Sequence, residues 1–79
     1  MTIVNTDYIS GKKLETIGIV NGWEMAGFKL NLEKIAKVVN EKMIANAREM
    51  HADAIVNVRY IFSGDGRCVL ATGTAVKFV

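Results

Sequence analysis

Proline is absent from this chain, and cysteine and histidine each occur once, at Cys68 and His51. A single cysteine excludes an intrachain disulfide. One Cys with one His also falls short of the four protein ligands that a structural zinc site needs. Basic residues are not concentrated. Ten Lys and Arg stand against eight Asp and Glu, for a net charge of +2, and Lys12–Lys13 is the only adjacent basic pair. So weak a charge predicts little affinity for nucleic acid at physiological salt. The N-terminus has no basic segment leading into an apolar one, which argues against a secretory signal. No apolar run approaches the roughly 18 residues that span a bilayer, so no membrane partner is expected. A cytoplasmic setting follows as the expectation, and there a lone thiol stays reduced.

With 79 residues, residues 1–79 read as one domain around one core. A domain of this size buries only about 60% of its unfolded surface. Small scaffolds compensate with disulfides, a structural metal or oligomerisation. The first two are excluded or nearly so, and a hydrophobic fraction of 51% supports the third.

Residues 2–5 read as a short strand, and Ile9-Ser10-Gly11-Lys12 as a turn. Residues 13–21 alternate loosely, with β-branched Ile17, Ile19 and Val20 favouring a strand. Gly18 within them predicts a bulge or a close backbone approach. Residues 22–29 are ambiguous between strand and loop. The helix is the clearest element. Asn31 is suited to cap it, and Leu32, Ile35, Ala36, Val39, Met43, Ala47 and Met50 recur at three- and four-residue steps that share one face. It should end near His51. Residues 54–62 and about 67–79 read as strands joined through Ser63-Gly64-Asp65-Gly66 into an antiparallel hairpin. Strict alternation puts Ala54, Val56, Val58, Tyr60 and Phe62 on one face of the first, and Ile55, Asn57, Arg59 and Ile61 on the other.

The predicted fold is α+β, in the order β-β-α-β-β, an antiparallel-rich sheet with one helix packed on one face. The last strand is apolar on both faces: Leu70, Val76 and Phe78 on one, Val69, Ala71, Ala75 and Val79 on the other. Such a strand is usually buried on both sides. With one helix in the chain, the second side is expected to be covered by a partner subunit, most simply in a closed homo-oligomer.

Two stretches, residues 52–60 (Ala-Asp-Ala-Ile-Val-Asn-Val-Arg-Tyr) and 71–76 (Ala-Thr-Gly-Thr-Ala-Val), together with Asn5-Thr6-Asp7 and Gly11, resemble the YbjQ-like family of heavy-metal-binding domains. The chain also resembles small archaeal selenium-binding proteins of the same fold that carry one cysteine. The resemblance implies a β/α fold and a ring-shaped homopentamer. It is good over both ends and poor in the middle, where typical relatives are longer by roughly a helical hairpin. Only residues 22–30 stand there in this chain.

Cys68 is the sharpest candidate for chemistry. It follows Arg67 at the start of a strand, and a cationic neighbour favours the thiolate form of a cysteine. Thiolate is the donor that a soft metal ion or a selenium species would favour. The alternative is that Cys68 is a small packed hydrophobe. His51, two residues before Asp53, could ligate a metal; otherwise it complements the helix end or faces solvent. Trp23, Met25 and Phe28 suggest core packing ahead of a pocket or interface, and Met43 and Met50 belong to the apolar stripe of the helix. Arg59 is open between a half-buried interface residue and a solvated one. Gly64-Asp65-Gly66 lacks the lysine and helix start of a phosphate loop. No spacing pairs Asp7, Asp53 and Asp65, and no acid–base pair or cofactor signature supports an enzyme. Two functions remain. One is a homo-oligomeric binder of a metal or selenium species that uses Cys68, with Arg67 beside it and His51 as a second metal ligand. The other is a structural or protein-interaction module with no small-molecule ligand.

Overall fold

A computed structural model of the chain describes residues 1–25, 32–64 and 68–79. Its elements run β1 (Thr2–Ile3), β2 (Leu14–Met25), α1 (Leu32–Glu49), β3 (Ala54–Phe62) and β4 (Cys68–Phe78). The four strands form one sheet in the order β1-β3-β4-β2. β4 runs antiparallel to both β3 and β2, while β1 adds parallel to β3. The α+β class and the antiparallel hairpin agree with the pattern in the chain, although the sheet is mixed. β2, α1 and β3 form a right-sized crossover between parallel strands, and β4 slots into the gap between them.

Ile35, Val39, Met43 and Ala47 are all fully or almost fully buried, as the three- and four-residue spacing requires. They pack on Val20, Ile55, Val58, Val69, Ala71 and Ala75 of the sheet. Gly22 lets the helix approach β2 closely. A Cβ there would lie 2.2 Å from the Val39 carbonyl oxygen and 2.8 Å from the Met43 nitrogen. At its C-terminus α1 closes in a Schellman arrangement: Ala52 N donates to Ala47 O at 3.1 Å, and His51 N to Arg48 O at 3.0 Å. His51 takes the left-handed position usually given to glycine, at φ 59°. The proposed cap Asn31 lies outside the described residues.

Two bulges set the faces of the sheet. One falls between Thr16 and Gly18, where the glycine within β2 suggested it. The other falls between Val56 and Arg59 and corrects the alternation read along residues 54–62. Asn57 sits there at φ 54°. Its N–H donates to Thr6 O at 2.8 Å, and Val58 N donates to Val4 O at 3.1 Å. The extra residue turns the rest of the strand over. Ile55 and Val58 therefore both face the helix, whereas Ala54 and Val56 face away with Val76.

The second side of the sheet is also corrected in part. Val4, Ile9 and Leu14 pack against Ala54, Val56 and Val76, so the N-terminal segment covers one end of this side within the same chain. The opposite end is open.

Candidate functional site

In an antiparallel pair, residues directly opposite one another point to the same side. The register of β2 with β4 therefore builds the open end row by row: Ile19 opposite Thr74, Asn21 opposite Thr72, Trp23 opposite Leu70, and Met25 opposite Cys68. β3 continues two of these rows, with Arg59 opposite Thr72 and Ile61 opposite Leu70. Ile19 is 71% exposed, Trp23 59%, Met25 57% and Ile61 54%. For Trp23 and Met25 this overturns the expectation of core packing. Both belong to β2, which runs four residues past the predicted end of that strand. Phe28 lies outside the described residues. Arg59 is exposed on the same side.

Cys68 lies at one end of this surface. It is a free thiol, half-buried. Ser63 and Cys68 hold the hairpin closed: Cys68 N donates to Ser63 Oγ at 2.9 Å, and Ser63 N donates to Cys68 O at 3.0 Å. Across the ladder stands Met25, with about 5 Å between Cβ atoms expected for such a pair. A thiol and a thioether thus share one end of one face. Both are soft donors, suited to Cu(I) and similar ions. The contribution of Met25 was not legible in the chain, because the register of β2 with β4 was not. The clue available in the chain was a second soft side chain close in sequence to Trp23 and Phe28.

The other predicted site residues do not join Cys68. Arg67 lies outside the described residues, as does Asp65. His51 is exposed at the far end of the sheet, where Asp53 N donates to Val76 O at 2.8 Å. Val76 is eight residues along β4 from Cys68, which separates the two ends by roughly 25 Å. Within one chain, His51 and Cys68 cannot share an ion. Asp53 is engaged by the backbone, its Oδ2 accepting from Phe78 N at 2.9 Å. Among the described residues, no three His, Cys, Asp or Glu side chains gather as a metal site.

On the helix side, Ile35, Ala36, Tyr60, Phe62 and Val69 line an apolar hollow of about 210 Å³. Tyr60 Oη donates to Asn40 Oδ1 at 2.7 Å beside it.

Side chains of α1 and of β2 itself take up polar groups along the outer edge of β2 between Asn21 and Met25. Asn21 N donates to Asn46 Oδ1 at 3.3 Å, Lys42 Nζ to Trp23 O at 3.0 Å, and Met25 N to Glu24 Oε1 at 3.2 Å. Lys42 also pairs with Glu24 at 2.7 Å. The hydrogen bond from Lys42, then its charge, then the Met25 N–H hold the Glu24 carboxyl below its ordinary range.

Residues 2–79 match the family model YbjQ_1, described as "Putative heavy-metal-binding". A UPF0145 protein of Alkaliphilus metalliredigens is 39% identical, with both chains covered in full. One of Clostridium novyi is 30% identical, again over the whole of both. The first alignment runs over 103 positions against 79 residues here, so that relative is longer by about two dozen residues within the shared span. A crystal structure from Pediococcus pentosaceus, described as a protein of unknown function of the DUF74 family, superimposes with a TM-score of 0.78 at 15% identity. The match covers 100% of this chain and 98% of that one, and it establishes a shared fold. Among the described residues, no helix is long and apolar enough to cross a membrane.

Proposed function

This chain belongs to the YbjQ_1 family, and from that premise we propose that it is a small homo-oligomeric protein that binds a soft metal ion or a selenium species through Cys68. The observation that carries this reading is the position of Cys68, half-buried on the open sheet side directly opposite Met25. A thiolate supplies charge and a strong soft donor, and a thioether supplies a second, neutral one. One thiol per subunit becomes several symmetric thiols in a closed oligomer, with a pentamer as the expected form. The reading places the protein in the cytoplasm, where the thiol stays reduced, and assigns it no catalytic step.

Native mass spectrometry of the purified protein tests this, with Cu(I), Zn(II) or selenite plus a thiol added, beside Cys68→Ser and Met25→Leu. The expected result is a mass gain per subunit that Cys68→Ser abolishes. Met25→Leu should weaken the gain for Cu(I) more than for Zn(II), since a thioether favours the softer ion. A gain untouched by Cys68→Ser would sink the proposal. A second reading, an interaction module without a ligand, is favoured by the four apolar side chains, Ile19, Trp23, Met25 and Ile61, more than half exposed on the same side of the sheet as the cysteine. No mass gain under any condition would select it.

A further inference from the structure

The chain has four methionines, and the fold places them in different surroundings. Met43 is fully buried, and Met50 is half-buried against the same core. Met1 is exposed at the chain terminus, and Met25 is more exposed still, at 57%. Met25 alone among them stands opposite a thiol, because the β2–β4 register pairs it with Cys68. Its sulfur is open to a small oxidant in solution, whereas the sulfur of Met43 is reached only if the core opens.

Exposure at this place has a chemical consequence. A peroxide gives one oxygen to a thioether: a sulfur lone pair forms the new S–O bond, the O–O bond breaks, and the second oxygen leaves as water. The sulfur loses two electrons and the peroxide gains them. The product, methionine sulfoxide, is polar and presents oxygen where a soft sulfur stood. At Met25 the new oxygen meets solvent, so the fold is not strained by it. What changes is the donor set, since Cys68 is then the only soft donor at this end of the face among the described residues. The reverse step needs a dedicated reductase, whose two thiols become a disulfide as the oxygen departs as water.

We propose that Met25 is a site of oxidation by peroxides, and that its sulfoxide loosens the hold of the Cys68 site on a soft metal ion. The proposal rests on the metal-binding reading above and adds a way for the ion to be released. An ion held on the thioether engages the lone pair that the peroxide needs, so ion binding and oxidation oppose one another.

The test uses Ag(I), which is soft and, unlike Cu(I), is not cycled by peroxide. Metal-free wild type and Met25→Leu are treated with dilute hydrogen peroxide, then with dithiothreitol, which is removed before Ag(I) is titrated against a competing chelator. Dithiothreitol returns a reversibly oxidised Cys68 to the thiol and leaves a sulfoxide in place. Peptide mass spectrometry locates the added oxygen, and circular dichroism follows the fold.

The expected result is that Met25 gains one oxygen ahead of Met43 and Met50 while the fold persists. Ag(I) affinity of the treated wild type should fall by at least the roughly 10-fold that loss of an outer-shell partner typically costs a metal site. Dithiothreitol should not restore it, and a methionine sulfoxide reductase should. Met25→Leu should regain its own starting affinity with dithiothreitol alone. Oxidation of Met25 that lags behind Met43 would overturn the proposal at its first step. Full recovery of the wild type with dithiothreitol, with Met25 still oxidised, would overturn the release step and leave Cys68 binding intact. A wild type that takes up no Ag(I) before peroxide is added would overturn both.

Discussion

Gly22→Ala should be the most damaging single methyl that can be added to this sheet. The new Cβ would meet the Val39 carbonyl oxygen at 2.2 Å and the Met43 nitrogen at 2.8 Å. Both atoms belong to helix backbone, so no rotamer change relieves the contact. α1 must move outward by on the order of 1 Å, loosening Val39 and Met43, which are both fully buried. Overpacking of this kind costs about 1–3 kcal/mol, and more when backbone has to shift. Total stability for 79 residues is roughly 4–12 kcal/mol, so a cost of about 3 kcal/mol is a large share of it. With a urea slope near 1 kcal/mol per molar, the midpoint should fall by about 3 M. Gly18→Ala gives the contrast. Its Cβ would lie 2.6 Å from Met50 Cε, the end of a flexible side chain that can swing aside, and the cost should stay below about 1 kcal/mol. Gly64→Ala meets nothing within 4 Å and should be neutral to within about 0.5 kcal/mol. The assay is urea denaturation followed by circular dichroism at one fixed protein concentration, since assembly would couple stability to concentration. A Gly22→Ala midpoint equal to that of Gly18→Ala would refute the claim that helix backbone presses on β2 at this point.

Other expectations follow from the β2 edge. Replacing Lys42 and Asn46 together with alanine uncovers the polar groups at Asn21 and Trp23. The fold should persist, with a urea midpoint lower by no more than about 1 M, but static light scattering should rise at lower protein concentration as edges pair. Unchanged scattering would argue that these side chains do not guard the edge. The Glu24–Lys42 pair has a defined pH signature. Its carboxyl is held below 4.5, so the stability it contributes is present above that value and disappears as pH falls through the lowered folded-state pKa. The difference in urea midpoint between wild type and Glu24→Gln should thus be small at pH 7 and close towards zero in acid. A difference that grew on acidification would contradict this sign.

Much of the architecture was legible along the chain because its signals are local. Three- and four-residue spacing from Leu32 to Met50 specifies a helix and its buried stripe, and turn residues between two β-branched runs specify the β3–β4 hairpin. A single cysteine excluded an intrachain disulfide, one Cys with one His fell short of a four-ligand zinc site, and the stretches at 52–60 and 71–76 pointed to the family. Those same stretches turn out to build a joint in the sheet. Gly73 lies where a Cβ would meet Ile55 Cγ2 at 2.6 Å, and Asn57 bonds back to Thr6.

Only the tertiary structure could decide the faces and the site. Period-two reading assumes an unbroken strand, and the bulge at Asn57 is held by a hydrogen bond to Thr6, 51 positions away in the sequence. Nothing near Asn57 in the chain encodes that partner. The same holds for the N-terminal segment that covers Val76, and for the register that sets Met25 against Cys68 and brings Trp23 to the surface. In the sequence His51 reads as a second ligand beside Cys68, yet the length of β4 puts them at opposite ends of the sheet. Pairing between distant strands, which periodicity does not carry, determines which side chains can act together.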